Sequence, residues 1–208
     1  MNERPLPQPY LRPYLDAAAA HGAGFRSLLW ASPATQALRF EAMRRLEDMD
    51  GKSLLDVGCG RADLLEFLLR HGVRPADYIG IEAVDALADA AESKRLPNTT
   101  IFRADFVAEP LRLFVAADVV ILSGSLNTAD DPAFYATLSR AYDATAQSVV
   151  FNFLSSARLA GQSYLYWRRP EDVLRFVRGL SPHVTFLQDY LAGDMTVRVA
   201  KPPEAAAP

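Results

Sequence analysis

The chain has little of what builds disulfide-bonded, zinc-bound or membrane-spanning structures. It contains one cysteine and three histidines. This excludes an intrachain disulfide and argues against a cysteine-rich metal site. No apolar run approaches the roughly 18 residues of a membrane-spanning helix, and no apolar signal core follows Met1. We therefore expect a cytoplasmic protein with no metal site and no membrane partner.

The chain also lacks a large excess of charge of either sign, although its charged fraction is ordinary. The 22 basic and 25 acidic side chains leave a formal net charge of −3 at pH 7. Such a chain has no general attraction to nucleic acids or anionic membranes, so a nucleic-acid partner is not expected. Half of the 208 residues are hydrophobic, which is enough for one folded domain with a sizeable core.

Strand-like and helix-like segments alternate along most of the chain. The run 118–122 is uninterrupted apolar, which is typical of a strand buried on both faces of a parallel sheet. Strands are predicted at 53–57, 78–82, 99–103, 118–122, 148–153, 184–191 and 194–200. Helices are predicted near 34–49, 63–71, 84–95 and 131–146 and from Pro170 onward. Because only Ala192 and Gly193 join the last two strands, those strands must be antiparallel.

The run from Ser53 to Glu66 is the most informative segment. A short apolar strand reaches Asp56, and a turn with Gly58 and Gly60 leads into an amphipathic helix. In a doubly wound sheet this turn lies where ligands bind, and glycines there leave no side chain between backbone and ligand. The dinucleotide fingerprint needs a third glycine where Asp63 stands. That difference disfavours a nicotinamide-dependent oxidoreductase, and the Asp56 carboxylate suits an ammonium group better than a pyrophosphate.

The segment resembles motif I of the class I S-adenosylmethionine-dependent methyltransferases. Asp56, Gly58 and Gly60 match its D-x-G-x-G core, and Ala62 replaces a glycine that many members have. Glu82 lies 22 residues beyond Gly60, at the position that faces a ribose in a βαβ unit. The resemblance further implies that Asp105 binds the adenine amino group and that the apolar residue after it packs on the ring.

This resemblance implies a fold, a cofactor and a set of binding residues. The fold is α/β and Rossmann-like, with a seven-stranded, mostly parallel sheet, a terminal antiparallel hairpin and an N-terminal helical lid. Residues 1–50 would form the tail and lid, and residues 51–201 the class I methyltransferase domain. The predicted S-adenosylmethionine site comprises Trp30, Arg39, Asp56, Gly58, Cys59, Gly60, Asp63, Glu82, Ala83, Asp105, Phe106 and Ser123.

Several of these residues keep two interpretations. Cys59 has no base beside it in sequence, so a packing role near the cofactor is favoured over a nucleophilic one. Trp30 and Arg39 either close on the methionine end of the cofactor or belong to an ordinary helix, with the tryptophan anchoring it to the sheet. Asn127 either orients the acceptor or supports the turn after the fourth strand.

The acceptor side is harder to interpret. The segment 123–127 lacks the N/D-P-P-Y/F signature of enzymes that methylate nucleobase amines. An aromatic and basic cluster at 164–169 either shapes an acceptor pocket or packs in the core. The candidates for an acceptor-side catalytic residue are His21, Asn127, Tyr164 and Asp189.

The segments 25–40 and 151–190 also resemble those of a bacterial family of small methyltransferases whose substrate is unassigned. It implies methyl transfer to a small-molecule acceptor by in-line displacement, in a monomer or homodimer. The alternative is a protein that binds S-adenosylmethionine or S-adenosylhomocysteine without methylating, as a sensor or partner subunit.

Overall fold

The computed structural model describes residues 8–203, so the predicted terminal tails lie largely outside the described residues. Seven strands alternate with six α-helices. The strands are β1 Ser53–Val57, β2 Asp77–Glu82, β3 Thr99–Arg103, β4 Val119–Leu122, β5 Ser148–Leu154, β6 Val184–Leu187 and β7 Asp194–Ala200. The helices are α1 Arg12–His21, α2 Pro33–Leu46, α3 Asp63–Arg70, α4 Asp85–Ser93, α5 Asp131–Ala144 and α6 Pro170–Leu180. A 3₁₀ helix, Phe25–Leu28, lies between α1 and α2.

The strands form one sheet in the order β3-β2-β1-β4-β5-β7-β6. The first five strands are parallel, and β7 runs antiparallel to both β5 and β6. The chain order reverses between β1 and β4, which places the carboxyl ends of these strands around a crevice. The predicted α/β fold with a mostly parallel seven-stranded sheet and a terminal antiparallel hairpin is therefore confirmed.

Apolar residues cover both faces of the sheet, as a parallel sheet requires. One face packs under α5 and α6 through residues such as Phe134, Phe151 and Val173. The other face packs under α2 and α3 through residues such as Met43 and Leu65. Every residue of β4 and β5 is buried, which agrees with their apolar sequences.

The start of α2 follows its sequence signal closely. Ser32 accepts a hydrogen bond from the backbone N–H of Thr35 at 3.1 Å, and the Thr35 hydroxyl accepts one in return from the backbone N–H of Ser32. This capping box, with Pro33 at the first helical position, fixes where the helix begins. It thereby fixes how the preceding residues approach the sheet.

The predicted strand 184–191 is too long. In the structure β6 ends at Leu187, and residues 188–193 form a turn before β7. Two hydrogen bonds hold this turn: the Tyr190 hydroxyl bonds to Asp194, and the backbone N–H of Asp194 bonds to the carbonyl oxygen of Leu191 at 3.0 Å. The connection is thus longer than Ala192 and Gly193 alone. Helices α4 and α5 each end two residues before their predicted ends, and α2 ends at Leu46 rather than at 49.

Candidate active site

A cavity lies at the carboxyl ends of β1, β2 and β4. It encloses about 890 Å³ of empty space, part of which is open to solvent. Its floor comes from the loops that follow these strands. Its roof comes from residues 10–40, which include α1, the 3₁₀ helix and the start of α2. Roof residues that line it are Tyr10, Leu11, Tyr14, Leu28, Leu29, Trp30, Gln36 and Phe40.

The turn after β1 forms a part of the floor that is free of side chains. Gly58 has φ +74° and Gly60 has φ +56°, both in the left-handed region that favours glycine. A Cβ at Gly58 would lie 2.5 Å from Cβ of Ser125. The backbone N–H groups of Gly58 and Cys59 donate to the carbonyl oxygen of Ile81 at 2.8 and 3.0 Å. The turn is therefore fixed to β2, and the missing side chain at Gly58 lets Ser125 of the loop after β4 pack directly on its backbone.

Glu82, at the end of β2, braces the same turn. One carboxylate oxygen accepts a hydrogen bond from the backbone N–H of Gly60 at 2.8 Å. The other oxygen accepts one from the backbone N–H of Val84, also at 2.8 Å. Burial raises the pKa of this carboxyl, and these backbone donors oppose the rise. Since a carboxylate has about four acceptor positions, Glu82 retains capacity for the ribose hydroxyls that the sequence assigns to it.

Asp56 is a buried acid with a free oxygen. The Tyr78 hydroxyl donates to Oδ2, whereas Oδ1 has no hydrogen-bond partner although its residue lines the cavity. Burial, with a smaller contribution from the charges of Glu82 and Asp63, raises the pKa of Asp56 from 3.8 to about 7. An unpaired buried carboxylate is costly, so a cationic group placed in the cavity at Oδ1 would be strongly favoured.

This arrangement predicts an unusual pH dependence of stability. Between pH 4 and 7 folded Asp56 holds a proton that the unfolded chain releases, so its contribution to the free energy of unfolding falls as pH rises. Urea denaturation of the ligand-free protein and of Asp56→Asn across this range isolates the effect. The variant should gain stability over the parent steadily from pH 4 to 8. If the free energy of unfolding changed with pH in the same way for the parent and the variant, the pKa of Asp56 would not be raised by folding.

Asp63 is already paired. Lys94 Nζ lies 2.6 Å from Oδ1, and Arg61 lies 2.9 Å from Oδ2. These cations lower its pKa against the opposing effect of burial. Gln36 of α2 also donates to Oδ2 at 3.4 Å. Asp63 lines the cavity, but its hydrogen bonds tie the roof to α3 and α4.

Other predicted cofactor residues also line the cavity, namely Trp30, Cys59, Ala83, Phe106 and Ser123. The Cys59 thiol is buried, and burial raises its pKa. It packs against β2 so closely that a Cβ at Gly80 would lie 2.6 Å from Sγ. This environment agrees with the packing role favoured from the sequence.

The structure places Asp105 just outside the lining. Its Oδ1 accepts hydrogen bonds from the Tyr10 hydroxyl and from the backbone N–H groups of Val107 and Ala108. The bond to Tyr10 ties the start of the roof to the loop after β3. The sequence assigned Asp105 to the adenine amino group, and its Oδ2 makes no side-chain hydrogen bond in residues 8–203 that would prevent such a contact.

Arg39 does not line the cavity, contrary to the expectation of a cofactor contact. Its Nε donates to Asp194 Oδ2 at 2.7 Å, and both side chains are buried. The carboxylate partner is therefore supplied by β7, and Arg39 reaches the cavity only through Trp30. Sequence could not show this pairing because the two residues lie 155 positions apart.

The acceptor-side candidates separate clearly. Asn127 is buried and lines the cavity, and its Oδ1 has no partner. His21 is exposed, and Asp189 lies at the surface with its carboxylate 3.8 Å from Arg45. Tyr164 is partly buried and is not among the lining residues. The structure thus brings only Asn127 of these four to the cavity.

Tyr14 and Thr128 are two of the lining residues that the sequence analysis did not identify. Tyr14 packs against the lining residues Leu28 and Leu87, and burial raises the pKa of its hydroxyl. Thr128 is also buried, and its hydroxyl has no partner. Neither residue belongs to a recognised sequence motif, so the sequence carried no local signal for its place at the cavity.

Comparison with protein families and solved structures adds an independent finding. A family model described as a methyltransferase domain matches residues 31–183. A comparison with curated proteins gives no significant match. No helix within residues 8–203 combines the length and apolar character needed to cross a membrane.

Solved structures share the fold at low sequence identity. Magnesium protoporphyrin IX methyltransferase (ChlM) from Synechocystis PCC 6803 with bound SAH aligns at a TM-score of 0.68 and 11% identity, covering 92% of this chain and 99% of that one. The DhpI-SAM-HEP complex aligns at a TM-score of 0.65 and 16% identity, covering 97% of this chain and 100% of that one. A SAM-dependent methyltransferase from Archaeoglobus fulgidus aligns at a TM-score of 0.61 and 17% identity, covering 79% of this chain and 93% of that one.

Proposed function

The chain belongs to the methyltransferase domain family, and we propose that it transfers a methyl group from S-adenosylmethionine to a small-molecule acceptor. The observation that carries this proposal is the free Asp56 Oδ1 beside the bare turn of Gly58 and Gly60. A buried carboxylate that lacks a cation fits the ammonium group of the cofactor's methionine part. The glycines allow the close approach of a bulky ligand.

The remaining predicted contacts fit the other parts of the cofactor. Glu82 can accept hydrogen bonds from the ribose while it braces the turn. Phe106 is buried in the cavity wall, where an apolar ring can pack on adenine. These features support a site for one cofactor and one small acceptor.

S-adenosylmethionine supplies a methyl group on a positively charged sulfur, which reacts with a nucleophile placed in line with it. The residues of this chain bind, orient and exclude water. Asp56 and Glu82 hold the two polar ends, and the roof residues Tyr14 and Trp30 shield the cavity from solvent. Alignment of two bound reactants can contribute roughly 7–11 kcal/mol of the barrier reduction.

Of the carboxylates that line the cavity, Asp56 and Glu82 are assigned to the cofactor and Asp63 is paired with Lys94 and Arg61, so none is left to act as a base on the acceptor within residues 8–203. Among residues 8–203 no histidine lines it, and the Tyr14 hydroxyl, whose pKa is raised, stays protonated at neutral pH. Catalysis would therefore rest on alignment and desolvation. This favours an acceptor atom that is already nucleophilic or that loses its proton to water.

The loop after β4 supports a small polar acceptor. Ser125, Asn127 and Thr128 line the cavity, and each has a buried side-chain oxygen without a partner. The basic side chain among the lining residues, Arg61, pairs with Asp63 and with the carbonyl oxygen of Ala23, and its Nε has no hydrogen-bond partner. An acceptor with hydroxyl or amine donors would satisfy the oxygens of Ser125, Asn127 and Thr128.

The activity test uses S-adenosylmethionine with a labelled methyl group and a cell extract separated into small-molecule, nucleic-acid and protein fractions. Label should enter the small-molecule fraction with the parent protein, and the Asp56→Asn variant should transfer much less. Label in RNA or protein would overturn the acceptor assignment. Cofactor binding with no transfer into any fraction would favour the non-methylating alternative.

A further inference from the structure

A buried polar network lies behind the part of the cavity wall formed by Trp30 and Gly124. Its centre is Asp194, the first residue of β7, which is 1% exposed. Asp194 Oδ2 pairs with Arg39 of α2, and Oδ1 accepts hydrogen bonds from Tyr190 and from Asn152 Nδ2, the latter at 3.3 Å. The network connects three distant segments of the chain around one carboxylate.

One branch of the network leads to Trp30. The Arg39 guanidinium lies over the Trp30 ring, 4.8 Å from its centroid. Because Asp194 fixes the guanidinium in place, the ring rests on a platform that cannot rotate freely. Trp30 itself belongs to the roof of the cavity.

The other branch leads to the loop after β4. Asn152 is fully buried among the apolar residues of β5, and its Oδ1 accepts a hydrogen bond from the backbone N–H of Gly124 at 2.8 Å. Gly124 lines the cavity and has φ +73°. A Cβ at this position would lie 2.7 Å from Cη2 of Trp30. The two branches therefore meet where Trp30 presses on Gly124.

Stability alone does not account for this arrangement. A buried ion pair is often no more stabilising than apolar residues of similar volume, because both charges lose their hydration. An asparagine in a buried strand carries the same desolvation cost. The buried ion pair and the buried asparagine are both compatible with a role in holding a defined geometry. Here they hold two residues that line the cavity, Trp30 and Gly124.

We propose that Arg39, Asn152 and Asp194 form a positioning unit that sets the contact between Trp30 and Gly124 in the cavity wall. The inference rests on the proposed function. None of the three residues touches the cavity, so they act through the wall and are not catalytic residues. A misplacement of about 1 Å in such a wall can lower the rate roughly 100-fold.

The test uses two variants that leave no buried charge unpaired. Arg39→Lys keeps the charge for Asp194 but removes the planar platform, and Asn152→Leu keeps the side-chain size but removes the acceptor for Gly124. Arg44→Lys is the matched control, since Arg44 lies on the same helix and pairs with Glu41 at the surface. All variants carry Trp167→Phe, so Trp30 is the one tryptophan and its fluorescence reports the wall.

Both test variants should show a red-shifted Trp30 emission and severalfold stronger quenching by acrylamide without ligand. The methyl-transfer rate at saturating S-adenosylmethionine should fall roughly 10- to 100-fold, while the Kd for S-adenosylhomocysteine changes less than about threefold. Arg44→Lys should match the parent in all three measurements. Circular dichroism confirms that each variant is folded at the assay temperature.

The outcomes separate this inference from the proposed function. Folded variants with unchanged Trp30 emission and an unchanged rate would overturn the positioning unit. A fall in affinity for S-adenosylhomocysteine equal to the fall in rate would also overturn it, because the residues would then act on cofactor binding. Failure of the parent protein to bind S-adenosylhomocysteine would instead reject the proposed function, whatever the fluorescence shows.

Discussion

Asp56→Asn should weaken cofactor binding at least roughly 30-fold and, at pH 8, make the ligand-free protein more stable. Asparagine keeps the shape of the side chain and an acceptor for the Tyr78 hydroxyl. It cannot carry the negative charge that an ammonium group requires. Loss of one member of a buried, hydrogen-bonded charge pair typically costs about 2–5 kcal/mol, which is a loss of roughly 30-fold or more in affinity.

The gain in stability has a separate cause. Folding carries Asp56 into a site where burial raises its pKa from 3.8 to about 7, so at pH 8 the protein holds an unfavourable charge. Removing that charge should raise the free energy of unfolding by up to about 4 kcal/mol at pH 8. Well below pH 4 the carboxyl is protonated in both states, and the pH-dependent difference between parent and variant should disappear.

Asp89→Asn is the matched control for this prediction. It makes the same chemical change at a side chain on α4 that is 70% exposed and pairs with Arg103. Calorimetric titration and urea denaturation should give values close to those of the parent. An Asp56→Asn protein that still binds S-adenosylhomocysteine with parental affinity would contradict the role assigned to Asp56.

Gly58→Ala should destabilise the protein by about 2–5 kcal/mol and prevent cofactor binding. The left-handed backbone at this position costs a residue with a Cβ about 1–2 kcal/mol. The new methyl group would also lie 2.5 Å from Cβ of Ser125, and overpacking of this kind costs about 1–3 kcal/mol. Relief of the contact would require the turn or the loop after β4 to move, and both line the cavity.

Gly72→Ala separates the two contributions. Gly72 has φ +78°, but a Cβ there meets nothing within 4 Å. Its substitution should therefore lower the free energy of unfolding only by the cost of the left-handed backbone, about 1–2 kcal/mol. Cofactor affinity should be unchanged. Equal destabilisation by the two substitutions, measured by urea denaturation, would show that the contact with Ser125 is relieved without consequence.

The cofactor side of the site was largely predictable because it depends on short-range sequence. Asp56, Gly58 and Gly60 lie within five residues, and the parallel sheet brings Glu82 beside them. Acids at the ends of successive parallel strands must meet at one edge of the sheet. The contacts assigned to the cofactor stay predictions. The geometry of the cavity fits the cofactor, but the contacts themselves concern a bound molecule.

The side-chain pairings around the site could not be predicted, because they depend on contacts between residues far apart in the sequence. The pairing of Tyr78 with Asp56 follows from the burial of a polar strand residue, and the pairing of Arg39 with Asp194 joins α2 to β7. Neither spacing has a local signature. The predicted length of the strand 184–191 failed for a related reason, because Tyr190 bonds to Asp194 in the turn instead of extending β6.

Calorimetric titration of the parent protein with S-adenosylmethionine, S-adenosylhomocysteine and NAD tests the central claim most directly. The account predicts that both methionine-derived ligands bind with micromolar affinity, on the order of −8 kcal/mol, and that NAD does not bind, since the turn carries Asp63 in place of the third glycine. Folded protein that binds neither S-adenosyl ligand, or that binds NAD instead, would contradict it.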